Sequence, residues 1–196
     1  MAELKIGKMT LGSCMTNCYF VYREGESGVI FFDPAAQGDY IYEKMKEHGF
    51  EIEVILLTHG HFDHIGAVDA LYKHSAPADR PKIVIHELDA PMLSDPVLNA
   101  GAGLVGYEIT APQATDLVRE GDELTLAGLK IQVLHTPGHT PGSVCYLIEG
   151  ELFTGDTLFD YGWGRTDLPG GNEEQMMASL KRIMPLIREH GLHAGH

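Results

Sequence analysis

The apolar positions along this 196-residue chain change period several times, and each change marks an element. Residues 4–10 alternate weakly between apolar and polar, as a strand with one covered face does. Residues 18–23 and 28–32 are β-branched and aromatic, with a Gly/Ser/Glu turn at 24–27 between them, which predicts two paired strands. Asp33-Pro34 ends the second of these. Residues 39–48 switch to helical spacing, with Ile41 and Met45 four apart and Gly49 placed to stop the helix. The wholly apolar run 54–57 predicts a strand buried on both faces. Helices are expected at 66–74 and 87–93, with a strand at 82–85 between them. Residues 94–114 hold Gly and Pro without a period, so an ordered loop or lid is expected there. Strands follow at 123–126, 129–134, 144–148 and 152–153. Asn172 caps the last helix, with Gln175 three residues on as a capping box requires. That helix is expected to bury Met176, Leu180, Ile183 and Met184 and to end at Pro185. Strands with helices, followed by strands with a helix, predict two packed sheets with helices outside.

Composition narrows the class. The chain is 44% hydrophobic and 21% charged, which excludes a disordered chain or a fibrous rod. No repeat or linker divides it, so one domain over residues 1–196 is expected. Acidic residues outnumber basic ones 28 to 14, and the formal charge of −14 opposes binding to nucleic acid. The three cysteines (Cys14, Cys18 and Cys145) are an odd number and make no disulfide framework, so reduced thiols are expected. The opening MAELKIGKMT has no apolar leader segment, and no apolar run approaches the length of a membrane span. A cytoplasmic protein without a membrane partner is the expectation, and its oligomeric state is left open.

The chemistry concentrates in four places. Thr58-His59-Gly60-His61-Phe62-Asp63-His64 puts three imidazoles and a carboxylate directly after the buried strand. Imidazole nitrogen suits zinc or iron. His59 and His61, one residue apart, can aim at one ion, while the adjacent Asp63 and His64 point to a second ion nearby. A dinuclear site is therefore expected. His139 sits within a turn stiffened by Pro137, Gly138, Pro141 and Gly142 and is read as a ligand, whereas His135 is read as a packed or supporting histidine. Asp156, in Thr154-Gly155-Asp156-Thr157, is a carboxylate able to bridge two cations. The fourth place is the terminal Gly195-His196.

These pieces, in this order, resemble the metallo-β-lactamase-fold hydrolases. The single-domain branch similar to glyoxalase II, the hydroxyacylglutathione hydrolases, fits best. The resemblance runs from Asn17-Cys18-Tyr19 to His196 and includes Asp33-Pro34 and Gly164-Arg165-Thr166-Asp167-Leu168-Pro169-Gly170-Gly171. It implies an α/β fold, a four-layer αββα sandwich of two mixed sheets flanked by helices. It assigns His59, His61 and His139 to a first divalent metal, Asp63, His64 and His196 to a second, and Asp156 to both. Zinc is the expected metal, with iron or manganese as alternatives. Thr58 and Asp33 would orient ligands. Family members continue beyond the last Gly-His, so a further tail is expected after His196. A separate helical domain of the kind with which two-domain relatives grip glutathione is not expected.

The implied activity is hydrolysis of a small-molecule hydroxyacyl thioester such as S-lactoylglutathione by a metal-activated hydroxide, with Asp63 as the catalytic carboxylate that orients it. Arg165, Tyr107, Tyr161 and Trp163 are candidate substrate contacts. The alternatives are a persulfide dioxygenase, which holds a single iron by two histidines and an aspartate, and another hydrolase of the same fold, such as a lactonase.

Overall fold

A computed structural model describes residues 2–106 and 108–196 and shows what the long apolar runs are for. In β3 (Gly28–Phe32) and β4 (Glu51–Leu56), Ile30, Phe32, Val54 and Leu56 face one way, and Val29, Phe31 and Ile55 face the other. All seven are buried, because each face of these strands meets another layer. The first sheet runs β1 (Leu4–Leu11), β2 (Thr16–Arg23), β3, β4, β5 (Lys82–His86) and β6 (Asp116–Val118). It is antiparallel up to β3 and parallel from β3 to β6. The second runs β11 (Gly191–Ala194), β10 (Glu151–Gly155), β9 (Val144–Ile148), β8 (Leu129–His135) and β7 (Glu123–Leu126). Only its β10–β11 pair is parallel.

Three apolar layers result. Between the sheets lie Val21, Ile30, Phe32, Leu56, Val133, Tyr146 and Phe153 among others. Outside the first sheet, α1 (Gly38–Glu47) and α3 (Val68–His74) contribute Ile41, Met45, Val68 and Leu71. Outside the second, α5 (Glu173–Ile183) lays Met176, Leu180 and Ile183 against Leu134, Cys145 and Leu152. This is the expected αββα sandwich of two mixed sheets. No helix among the described residues is long and apolar enough to cross a membrane.

The structure departs from the hydrophobic pattern at six places. Met184 is 52% exposed. Ser179 joins Met176, Leu180 and Ile183 in the buried stripe, and at about 100° per residue Met184 falls roughly a quarter-turn from its centre. The helix expected over 87–93 is only a 3-10 turn at Ala90–Leu93, because Pro91 enters at its start and Asp89 is buried. The metal loop contains a helical turn, α2 (Phe62–Ile65), and the expected loop 94–114 contains another, α4 (Gly101–Leu104). Strands β6 and β11 were not expected. The three residues of β6 are too few to show a period, and Leu117 in it is exposed.

Candidate metal centre

Both sheets deliver their candidate ligands to one edge. Asp33 follows β3, the 58–64 loop follows β4, His139 lies beyond β8, Asp156 follows β10 and His196 follows β11. Hydrogen bonds stitch these strand ends together. Val144 N–H donates to the Thr58 carbonyl (2.9 Å) and the Tyr146 hydroxyl to the Leu57 carbonyl (3.0 Å). The β11 end is held from the first sheet, where Asn17 N–H donates to Gly195 O (2.8 Å) and the Tyr19 hydroxyl to Ala194 O (3.0 Å).

The structure brings together all seven residues expected from the sequence. His59, His61 and His139 form one compact set, each offering an atom within 4.8 Å of the others, and Asp63, His64 and His196 form another. Asp156 stands between them. Its Oδ1 is 3.3 Å from His64 Nε2, and its Oδ2 is 3.4 Å from His139 Nε2 and 3.5 Å from His196 Nε2.

Neighbouring oxygens decide which ring nitrogen each histidine presents. Thr58 Oγ1 donates to Asp33 Oδ2 (2.7 Å), so it is free to accept from His59 Nδ1 (3.1 Å). His64 Nδ1 donates to Asp33 Oδ2 (3.0 Å), His139 Nδ1 to the Arg165 carbonyl (2.7 Å) and His196 Nδ1 to the Cys14 carbonyl (3.0 Å). Four histidines thereby turn an Nε2 lone pair inward. His61 reaches the same centre through Nδ1, 2.8 Å from His139 Nε2.

Three atoms of this centre (His59 Nε2, His61 Nε2 and Asp156 Oδ1) are buried without a hydrogen-bond partner. Such atoms are costly, and the grouping of His59 with His64 and Asp156, and with His61 and His139, fits a cation that takes nitrogen and oxygen ligands. The charge states of the first set agree with this. Burial, reinforced by the neighbouring histidines, lowers the pKa of His59 and brings that of His61 to about 3. Burial also lowers that of His139, against the opposing pull of Asp156. These rings are neutral at pH 7, the form that ligates. Burial opposes charge on His64 as well, but Asp156 and Asp33 together raise its pKa. Asp63 is held as a carboxylate, since His196 and His64 outweigh the effect of its burial.

Of the expected substrate contacts, Trp163 and Arg165 lie beside this centre. Gly164 N–H donates to the Asp156 carbonyl (3.0 Å), which sets Trp163 and Arg165 next to the ligands. Trp163 is 53% exposed and Tyr161 fully so. The Arg165 guanidinium pairs with Asp167 (2.6 and 2.7 Å), while its carbonyl serves His139. Tyr107 lies outside the described residues. His135 is not among the converging donors; its Nε2 donates to the Pro141 carbonyl (2.8 Å) and its ring stacks on His86. Sequence reasoning missed the carbonyls of Cys14 and Arg165, which any residue type supplies, and the buried Asp89. Asp89 carried no local signal, since Glu87 beside it is an equally plausible surface acid.

Comparison with known proteins gives a consistent picture. The family model of the metallo-beta-lactamase superfamily matches residues 11–186. The probable metallo-hydrolase YqgX of Bacillus subtilis is 37% identical over 191 residues, covering 96% of this chain and 88% of that protein. The hydroxyacylglutathione hydrolase GloC of Haemophilus influenzae is 32% identical over 189 residues, covering 92% and 84%. Among solved structures, the BLEG-1 B3 metallo-beta-lactamase superposes with a TM-score of 0.91 at 36% identity, covering 98% of this chain and 91% of that one. A di-iron-bound form of TTHA1623 superposes with a TM-score of 0.82 at 35% identity, covering 97% and 91%.

Proposed function

The chain belongs to the metallo-beta-lactamase superfamily of metal-dependent hydrolases, and on that footing we propose that it is a dinuclear enzyme cleaving a hydroxyacyl thioester, such as S-lactoylglutathione, to an acid and a free thiol. The observation that carries the dinuclear part is Asp156, whose two oxygens lie between the two ligand sets. The di-iron form of a chain 35% identical to this one supports it. The thioester part is supported by similarity to GloC, named a hydroxyacylglutathione hydrolase.

In this reading His59, His61 and His139 would hold one ion and Asp63, His64 and His196 the other, with Asp156 available to both. Divalent ions bound there, zinc in the first instance, supply Lewis acidity and bring the pKa of water from 15.7 to about 7. The protein's own contribution is placement. Asp33 and Thr58 hold His64 and His59 in one tautomer, so the ligand lone pairs are aimed before anything binds. The Asp63 side chain is 18% exposed against 10% for Asp156, which makes Asp63 the carboxylate better placed to accept a hydrogen bond from an incoming water and orient it. Trp163 and Tyr161 offer apolar surface to the acyl or thiol portion. Arg165 can meet a substrate carboxylate only by loosening its pair with Asp167. The substrate is a small molecule rather than a polyanion, in keeping with the −14 charge.

Zinc-loaded protein assayed on S-lactoylglutathione, a lactone panel and a β-lactam tests the reading. Turnover of the thioester with two ions per chain is the expected result. Activity confined to lactones or β-lactams overturns the thioester part. A single iron with oxygen uptake on glutathione persulfide overturns the hydrolase.

A further inference from the structure

Asp89 lies on the turn after β5, outside every element that carries a candidate ligand, yet it is fully buried against both ligand loops. Its Oδ2 accepts from Gly60 N–H (3.1 Å), the peptide between His59 and His61, and from the Thr140 hydroxyl (2.6 Å). Its Oδ1 accepts from Gly142 N–H (2.6 Å). Thr140 and Gly142 flank the far side of the His139 turn. Because the Thr140 hydroxyl donates to Asp89, it accepts from Ser143 Oγ (2.6 Å), which in turn accepts from Thr140 N–H (3.1 Å). One carboxylate thus closes the 140–143 turn and ties it to the 59–61 loop.

The glycines of the two motifs give independent support. A Cβ on Gly142 would lie 2.6 Å from Asp89 Oδ1, and one on Gly60 would lie 2.6 Å from Met92 Cβ, in the 3-10 turn that Asp89 precedes. Both glycines are where they are because the Asp89 turn packs directly on the backbone of each loop.

We propose that Asp89 is the positioning residue of the first metal set: it clamps the His59–His61 loop to the His139 turn and so sets the spacing of those three ligands. The proposal rests on the metal-centre reading above. It has a strict chemical consequence. All three partners are donors, and two are backbone N–H groups, one on each carboxylate oxygen. An Asn at this position has one acceptor oxygen, so its NH2 must face either Gly60 or Gly142. In both orientations one loop is released, although the side chain keeps its shape.

The test is a chelator competition that resolves the two zinc ions of wild type and Asp89→Asn, each ion being identified by its loss in His61→Asn or His196→Asn. The expected result is about a 10- to 100-fold weaker first ion, with the second ion unchanged. Kcat on the substrate of the loaded enzyme should fall with KM little altered. Thr140→Val, which removes one of the three donors, should weaken the same ion, and Thr140→Ser should restore it. This pair decides the matter if Asp89→Asn does not fold. Wild-type affinity for both ions in Asp89→Asn, or equal weakening of the two accompanied by a lower Tm of the metal-free protein, overturns the proposal. A wild type that takes up no metal overturns the metal-centre reading itself, an outcome distinct from either of these.

Discussion

At the scale of single residues, two side chains show how the centre is held. Asp33 has a left-handed backbone (φ 46°) and is buried, with Thr58 N–H, Thr58 Oγ1 and His64 Nδ1 all directed at its carboxylate. Asn also tolerates this backbone, so Asp33→Asn should leave the fold intact. It removes an acceptor and should weaken the ion bound by His64 about 10- to 100-fold, as metal competition would show. His61 makes the second case, in the metal-free protein. Its pKa is 6.5 when unperturbed and about 3 when folded, with burial as the main cause. Between those values the unfolded chain binds more protons, so the contribution of His61 to stability is complete above about pH 6.5 and is lost as pH falls toward 3. His59 and His139 shift in the same direction, and His64 and His196 in the opposite one. Comparison with His61→Asn reads this ring together with its coupling to His59 and His139. Denaturation of metal-free protein should show wild type losing stability relative to the variant by up to about 1.4 kcal/mol per pH unit across that window.

At the scale of elements, α5 and the His139 turn depend on one another. Asn172 caps the helix by accepting from Gln175 N–H (2.9 Å), and its own N–H donates to the Gly138 carbonyl (2.8 Å). Gly138 has φ 141°, and a Cβ there would lie 2.4 Å from the backbone of Met176. Gly138→Ala therefore cannot be absorbed by a side chain. It should cost about 1–3 kcal/mol in denaturant unfolding and lower the affinity of the His139 ion by displacing the turn. Asn172→Ala is the contrast. It removes a side-chain cap worth about 1 kcal/mol but leaves the backbone bond to Gly138, so stability should fall while metal affinity holds.

At the scale of the whole molecule, the seven candidate ligands come from the ends of strands in both sheets, and bound ions would tie the two sheets across the edge they share. Stabilisation by such binding follows mass action and reaches about 4.1 kcal/mol per site when free metal is 1,000 times Kd. Chelation should therefore lower Tm markedly. It should also raise amide exchange in 58–65, 136–143 and 195–196 while the buried strands β3, β4 and β9 stay protected. An unchanged Tm on chelation would mean that the edge is held by hydrogen bonds alone.

Much of the centre is written locally. The run from His59 to His64 carries four of the seven candidate ligands within six residues, and strand ends with Gly and Pro announce His139 and Asp156. Layering was legible too, because uninterrupted apolar strands such as β4 need cover on both faces. The extent of α5 could be read from its cap, although the exposure of Met184 could not, since it depends on how the helix is rotated on its sheet. Other features have no local signature. His196 reaches Asp156 because β11 pairs with β10 in the register Gly155↔Ala194, and its tautomer depends on the carbonyl of Cys14, 182 positions away in sequence. Asp89 reads as one acidic residue in a short helix until the fold sets it between two loops. Residue type and spacing determine which ligands are available, because a side chain carries its chemistry wherever it sits. The distances among them were decided by tertiary structure, because strand pairing and sheet packing join segments that local sequence cannot relate.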